Sequence, residues 1–242
     1  MSQSTQSIEP RGKKMASMEL TKDGSVFVLT LTNGDGANTF TKDVLEEYLE
    51  VFDRIEATKE NASLVITSNS SKFWCTGINL DWLREQPREY FMEFARLMDR
   101  VYFRATLLNL PTIGCLTGHT FAGGAILAAA LDFRFMREDR GWFCLPEVDI
   151  KIPFTLLMQE VVEMLPNRRA VKDLILTGAR IGGKEAAELG IVDGAFSEAE
   201  LFPRTMDFAR KMAEKDRETY TKIKHNWRRR IAALRDVVMG GK

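Results

Sequence analysis

Three short stretches hold residue types that could grip and deprotonate a carbonyl compound. The first is HTFAGGAILAAALDF, from His119 to Phe133, where Gly123 and Gly124 open a small, apolar run. Glycine in a helix interior costs roughly 1 kcal/mol, so packing alone explains the pair poorly. At a helix start the backbone N–H groups lack intrahelical partners, and the helix dipole adds partial positive charge. The Gly123 N–H is then a donor for an oxygen that gains negative charge, and the absent side chains admit a close approach. Tight helix–sheet packing is the competing reading. The second stretch is FWCTGINL, from Phe73 to Leu80, with Gly77 at its centre and a second available N–H at Ile78. Two N–H groups converging on one carbonyl oxygen form an oxyanion hole. A plain turn is the alternative. The third is CLPEVDIKIPF, from Cys144 to Phe154, with Glu147 among Leu145, Pro146, Val148 and Ile150. An apolar pocket raises a glutamate pKa towards neutrality, where it suits a base. An exposed loop glutamate is the alternative here.

These stretches sit in a chain of 242 residues, 45% hydrophobic, enough for one large domain or a domain with an appendage. Lys+Arg and Asp+Glu are equal at 34 each, which argues against a dedicated nucleic-acid binder. From Arg204 onward there are 12 Lys/Arg against 5 Asp/Glu, and the first 203 residues hold 22 against 29. This segregation suggests a polyanionic ligand or a basic interaction surface, with a solvated helix face as the alternative. Cys75, Cys115 and Cys144 are scattered and odd in number, which points to a reduced compartment. Two histidines without a ligand pattern suggest no metal site. No apolar run reaches the roughly 18 residues of a membrane span. The polar residues 1–17 read as a disordered segment without a secretory h-region, and Gly240-Gly241-Lys242 is not a peroxisomal SKL-type ending. A cytoplasmic location is expected, with a mitochondrial or peroxisomal one as alternative.

Periodicity supplies the elements that position the three stretches. Strands are predicted at Ser25–Thr32, Ser63–Ser68, Thr112–Thr117 and Asp132–Met136. Val44, Tyr48, Phe52 and Ile55 recur at helical spacing after Thr41, and Arg88–Leu107 reads as a long helix. Phe91, Phe94, Ala95, Met98 and Tyr102 mark its apolar face. Short apolar strands alternating with helices indicate an α/β domain with buried strands. The units recur loosely every 40–50 residues, without an exact repeat. Beyond Asp193 the strand signal ends, so the expected units are an α/β core over 18–195 and a helical, basic region over 196–242.

In order and content, SKFWCTGINL, LTGHTFAGGAILAAALDFRFM, PEVDIKI and LTGARIGGKEAAELGIVD resemble the crotonase superfamily, the enoyl-CoA hydratase/isomerase family. The resemblance runs from about Met18 to the C-terminus. It implies a spiral of ββα units with a helical C-terminal trimerisation region, and an acyl-CoA thioester as substrate without a further cofactor. It implies fatty-acid β-oxidation and assembly as a homotrimer or hexamer. It places the oxyanion donors at the N–H groups of Ile78 and Gly123, and the acid/base at Glu147. Gly77, Asn79, Leu80 and Gly124 are the implied substrate-binding neighbours, and Lys222, Lys224 and Arg228 the candidates to meet the CoA phosphates.

Departures from the family pattern select the reaction. Hydratases of the family carry a second glutamate three residues after the glycine donor, and here that position is Ile126. A single base suits a proton shuttle, so the sequence resembles the Δ3,Δ2-enoyl-CoA isomerases, plant and peroxisomal types included. Hydration and other acyl-CoA reactions of the family, or acyl-CoA binding without turnover, are the alternatives. Asn79 stands where an aspartate is usual, and Phe154 where a glycine is usual. Phe154, with Trp74, Trp82 and Leu83, is a candidate to shape the acyl pocket, with a core role as the alternative for each aromatic. His119 is expected to support its loop, with a catalytic base as the alternative.

Overall fold

The computed structural model describes residues 6–7 and 17–240. Its strands are β1 (Gln6–Ser7), β2 (Met18–Asp23), β3 (Val26–Leu31), β4 (Ser63–Ser68), β5 (Phe73–Cys75), β6 (Thr112–Leu116), β7 (His119–Phe121), β8 (Phe133–Arg137), β9 (Phe143–Cys144), β10 (Arg180–Ile181) and β11 (Gly194–Phe196). The four predicted strands are present as β3, β4, β6 and β8. β2 has only Met18 and Leu20 buried in alternation, too weak a signal to read from sequence. Gly24, at φ +58, turns it into β3. The segment expected to be disordered lies outside the described residues except for β1 and Ser17. β1 departs from that expectation, since Gln6 and Ser7 pair antiparallel with Lys22 and Thr21.

Helices α1 (Lys42–Ala57), α2 (Leu80–Arg84), α3 (Tyr90–Leu107) and α4 (Gly123–Ala130) come from the first half. The Thr41 side chain caps α1 by accepting from the Val44 N–H, which is why the helix begins where it does. Then follow α5 (Glu147–Ile150), α6 (Leu156–Val162), α7 (Arg168–Thr177), α8 (Gly183–Glu188), α9 (Glu198–Ala213), α10 (Arg217–Trp227), α11 (Arg229–Ala232) and α12 (Arg235–Met239).

The strands divide between a large sheet, ordered β1-β2-β3-β4-β6-β8-β11, and a small one, ordered β10-β9-β7-β5. Chain order explains the division. β4, β6 and β8 lie in the large sheet, and each is followed by a strand of the small one, β5, β7 and β9. A helix comes next in each case, so the chain winds as successive ββα units. β5, β7 and β9 run parallel and adjacent, which brings their carboxyl ends side by side. The three chemically loaded stretches leave from those ends, at Cys75, Phe121 and Cys144. The predicted loop after Ser70 therefore contains a strand, β5, and a helix, α2.

The two faces of the large sheet carry different partners. Phe27, Leu29 and Leu31 of β3 join the main core, while Val26 and Val28 face a second apolar cluster with Val65, Ile113 and Phe135. Leu201, Met206 and Ala209 of α9 cover that cluster. The helical C-terminal region is thus a layer of the core, not an appendage beyond position 195. Its basic residues have local duties. Arg217 donates to the backbone oxygens of Ile55, Glu60 and Asn109. Lys224 and Arg228 both pair with buried Asp132, at 2.9 and 2.8 Å, and Arg228 also donates to Thr106 and Ala130 carbonyls. The expectation that Lys224 and Arg228 meet a phosphate is corrected: both are buried clamps. Burial alone would raise Asp132, but the two cations and the Thr112 N–H hold it below the usual carboxylate range.

Breaking a buried ion pair from one side is costly because a charge is left without its partner. Lys224→Met should lower the unfolding free energy by about 3 kcal/mol in urea titrations. An unchanged midpoint would mean that the clamp contributes little.

Candidate active site

The site begins with two backbones in contact. Gly77 has φ +78, and a Cβ there would lie 2.6 Å from the Gly123 nitrogen. No side chain fits, so glycine is required by conformation and by space. The Phe40 N–H donates to the Gly77 carbonyl at 2.7 Å, and the Asn79 N–H donates to the Phe40 carbonyl at 3.0 Å. In this parallel bridge Ile78 lies between the two bonded residues, and its own N–H faces away from Phe40. Gly123 is the first residue of α4, so its N–H has no intrahelical acceptor. Both groups border one pocket of about 180 Å³.

Gly124 acts one position further on. A Cβ there would be 2.2 Å from the Cys75 carbonyl oxygen, so its absence seats α4 against β5. Ala122, before α4, has φ 49 and ψ −127, a conformation that residues with a Cβ rarely adopt. Its N–H donates to the Cys144 carbonyl and its carbonyl accepts from Ile126, each at 3.0 Å.

Glu147 opens α5 and lies in the same pocket, with 6% of its surface exposed. Its Oε2 is buried and has no hydrogen-bond partner among the described residues. Burial pushes the carboxyl up to about 7. Such a group exchanges protons near neutral pH. Ile126 of α4 shares the lining, and Glu147 is the one carboxylate among the lining residues.

Most of the remaining wall is aliphatic and thioether, from Leu80, Met98, Ile150, Ile152, Pro153 and Met158, and Tyr102 and Phe121 add two aromatic rings. The lining omits Trp74, Trp82, Leu83 and Phe154, which take the core alternative instead. Trp74 is fully buried, with its indole N–H on the Ile66 carbonyl at 3.2 Å. Trp82, Leu83 and Phe154 pack against the main core outside the lining. His119 stacks with Phe73 and Phe121 and does not line the pocket, in keeping with a loop-supporting role.

Of the implied substrate-binding residues, only Leu80 lines the pocket. Asn79 caps α2 by accepting from the Trp82 N–H at 2.9 Å, and Gly77 and Gly124 serve backbone packing. Lys222 is exposed and paired one turn away with Glu218, outside the lining. Two contacts escaped sequence reading. Thr155 caps α6 and donates to Asp99 at 2.7 Å, tying the Ile150–Met158 wall to α3. The Tyr102 hydroxyl donates to the Gly123 carbonyl at 3.1 Å. Met98, Asp99 and Tyr102 all look like parts of an ordinary amphipathic helix when read as letters.

The family profile of enoyl-CoA hydratase/isomerase matches residues 21–237. The chain belongs to the enoyl-CoA hydratase/isomerase family. Among its relatives is the peroxisomal enoyl-CoA delta isomerase 2 of Arabidopsis thaliana, 33% identical over 195 residues, 75% of this chain and 78% of the relative. The short-chain-enoyl-CoA hydratase of Clostridium acetobutylicum is 26% identical, covering 80% of this chain and 74% of the relative. In fold, a probable enoyl-CoA hydratase of Mycobacterium tuberculosis superposes with a TM-score of 0.84 at 20% identity, covering 93% of this chain and 94% of that one. The ββα spiral is therefore that of the enoyl-CoA hydratase/isomerase family.

Two outcomes follow from the packing and burial. Gly124→Ala drives a methyl into the Cys75 carbonyl and should destabilise the protein by about 2–3 kcal/mol or prevent folding, read by thermal melting. Glu147 has a folded pKa of about 7 against an ordinary 4.5. The folded state therefore binds its proton more tightly, and stability is lost as pH rises from about 4.5 to 7. Glu147→Gln should be close to neutral at pH 4.5 and stabilising by about 3 kcal/mol at pH 8. A pH-independent difference would argue against the buried carboxyl.

Proposed function

We propose that the protein is a Δ3,Δ2-enoyl-CoA isomerase working with one acid/base group. The observation that carries this reading is the lone carboxylate in an apolar pocket, with Ile126 where a second would be needed to hold water. The thioester oxygen accepts hydrogen bonds from the Ile78 and Gly123 N–H groups. Glu147 removes a proton from C2 of a 3-enoyl-CoA, and the electrons spread over C2, C4 and the thioester oxygen as a dienolate. The Glu147 carboxyl then returns the proton to C4, which leaves the double bond between C2 and C3. The thioester supplies the acidity and Glu147 the base, so the reaction calls for no cofactor. Resemblance to named isomerases of Arabidopsis thaliana supports the same choice.

Hydrogen bonds that strengthen as charge develops are worth about 3–4 kcal/mol per oxyanion donor, more than a typical side-chain contact. The proposal extends to a homotrimer. Ile223 and Trp227, one turn apart on α10, are exposed apolar groups available for such contacts. A light-scattering mass of one chain at micromolar concentration would remove that part.

Incubation with a 3-enoyl-CoA should yield the 2-enoyl-CoA, seen by its ultraviolet absorbance and by mass spectrometry without added water. Glu147→Gln should lower kcat by about a hundred- to ten-thousand-fold. Because the carboxylate is the active form, kcat/KM should rise with pH through about 7 and then level. Hydration of a 2-enoyl-CoA at a comparable rate would favour the hydratase reading instead.

A further inference from the structure

Tyr102 has no place in the proton shuttle, yet it touches the group on which the shuttle depends. Its side chain is fully buried, its ring borders the pocket, and its hydroxyl donates to the Gly123 carbonyl at 3.1 Å. The other partner in reach is the Met98 sulfur at 4.0 Å. A Cβ on Gly123 would lie 2.7 Å from the hydroxyl oxygen, so the phenol rests directly on that α-carbon. Burial raises the phenol well above its usual range, and Cys75, Glu147 and Asp99 add to the effect. It is a hydrogen-bond donor at neutral pH.

The turn it touches is strained. Ala122 holds φ 49 and ψ −127, and such a conformation persists only where the surroundings over-determine it. The Ala122 N–H is tied to Cys144, and the Gly77 α-carbon blocks movement of the Gly123 nitrogen on one side. The Tyr102 hydroxyl is the side-chain tie on the Gly123 residue itself. The peptide carrying the Gly123 N–H is held on its other side by the Ile126 N–H on the Ala122 carbonyl, at 3.0 Å. Without the Tyr102 tie the Gly123–Gly124 peptide loses its side-chain hold, and rotation there tilts the Gly123 N–H.

We infer that Tyr102 is a positioning residue that holds the strained Ala122–Gly123 turn so that the Gly123 N–H points at the thioester oxygen. The inference rests on the oxyanion-hole reading above. It assigns α3 a part in the chemistry through a hydroxyl that need not touch the reacting atoms.

The test uses the full chain with Tyr102→Phe, and with Tyr102 replaced by 4-methylphenylalanine, which fills the hydroxyl's space without a donor. The primary readout is the infrared carbonyl stretch of a bound saturated acyl-CoA, which cannot isomerise. The wild type should lower that stretch relative to free solution. Both variants should lose much of the lowering, and kcat on a 3-enoyl-CoA should fall roughly ten- to a hundredfold with KM nearly unchanged. If Tyr102→Phe does not fold, the 4-methylphenylalanine protein decides alone. A variant that keeps the full lowering and the wild-type kcat overturns the inference, whatever its melting temperature. A wild type that leaves the stretch at its solution position instead sinks the oxyanion-hole reading itself.

Discussion

The contact between Gly77 and Gly123 is the constraint around which the rest is arranged. Two N–H groups can converge on one oxygen only if the peptides that bear them nearly touch, and a Cβ on Gly77 would reach to 2.6 Å from the Gly123 nitrogen. That approach requires β5 and β7 to be neighbours running the same way. It requires α4 to start immediately after β7 and to lie on β5, which Gly124 permits. It also requires a backbone conformation at Ala122 that an isolated peptide would avoid. The large sheet and the α9 layer give the rigidity that holds these demands together.

Charge is used in two opposite ways. Asp132 is buried and fully answered, by Lys224, Arg228 and Thr112, so its proton is gone throughout the physiological range. Glu147 is buried and unanswered, with one oxygen lacking a partner and a pKa pushed up to about 7. The same residue class is thus a fastener in one place and, on the proposed function, a proton carrier in the other, and the neighbours make the difference. Three cations of the basic C-terminal region, Arg217, Lys224 and Arg228, follow the first use: carbonyls draw all three inward, and Asp132 also holds Lys224 and Arg228.

Much of the chemistry was legible because it resides in residues that few other roles demand. Paired glycines ahead of a helix, a glycine after a short strand, and one glutamate among apolar neighbours each stand out in a string of letters. The strands with continuous burial, such as β4 with all six residues inside, were equally plain. What stayed hidden depends on distance in sequence. β5 is three residues long and gains its strand character from β7, far along the chain. Lys224 and Arg228 look like surface cations until Asp132, about 90 residues earlier, is seen beneath them. Tyr102 reads as one more apolar face residue, since nothing local announces that its hydroxyl meets residue 123.

One side of the pocket wall is encoded by a single continuous stretch. Ile150, Ile152, Pro153 and Met158 follow within a dozen residues of Glu147, and the stretch is moored to α3 at a single side-chain bond from Thr155 to Asp99. Ile78 and Gly123, the oxyanion donors of the proposed function, come from earlier stretches. On the proposed function, this side of the wall is separable from the chemistry: exchange of the segment between Ile150 and Met158 would reshape the cavity and leave the two donors and the glutamate in place.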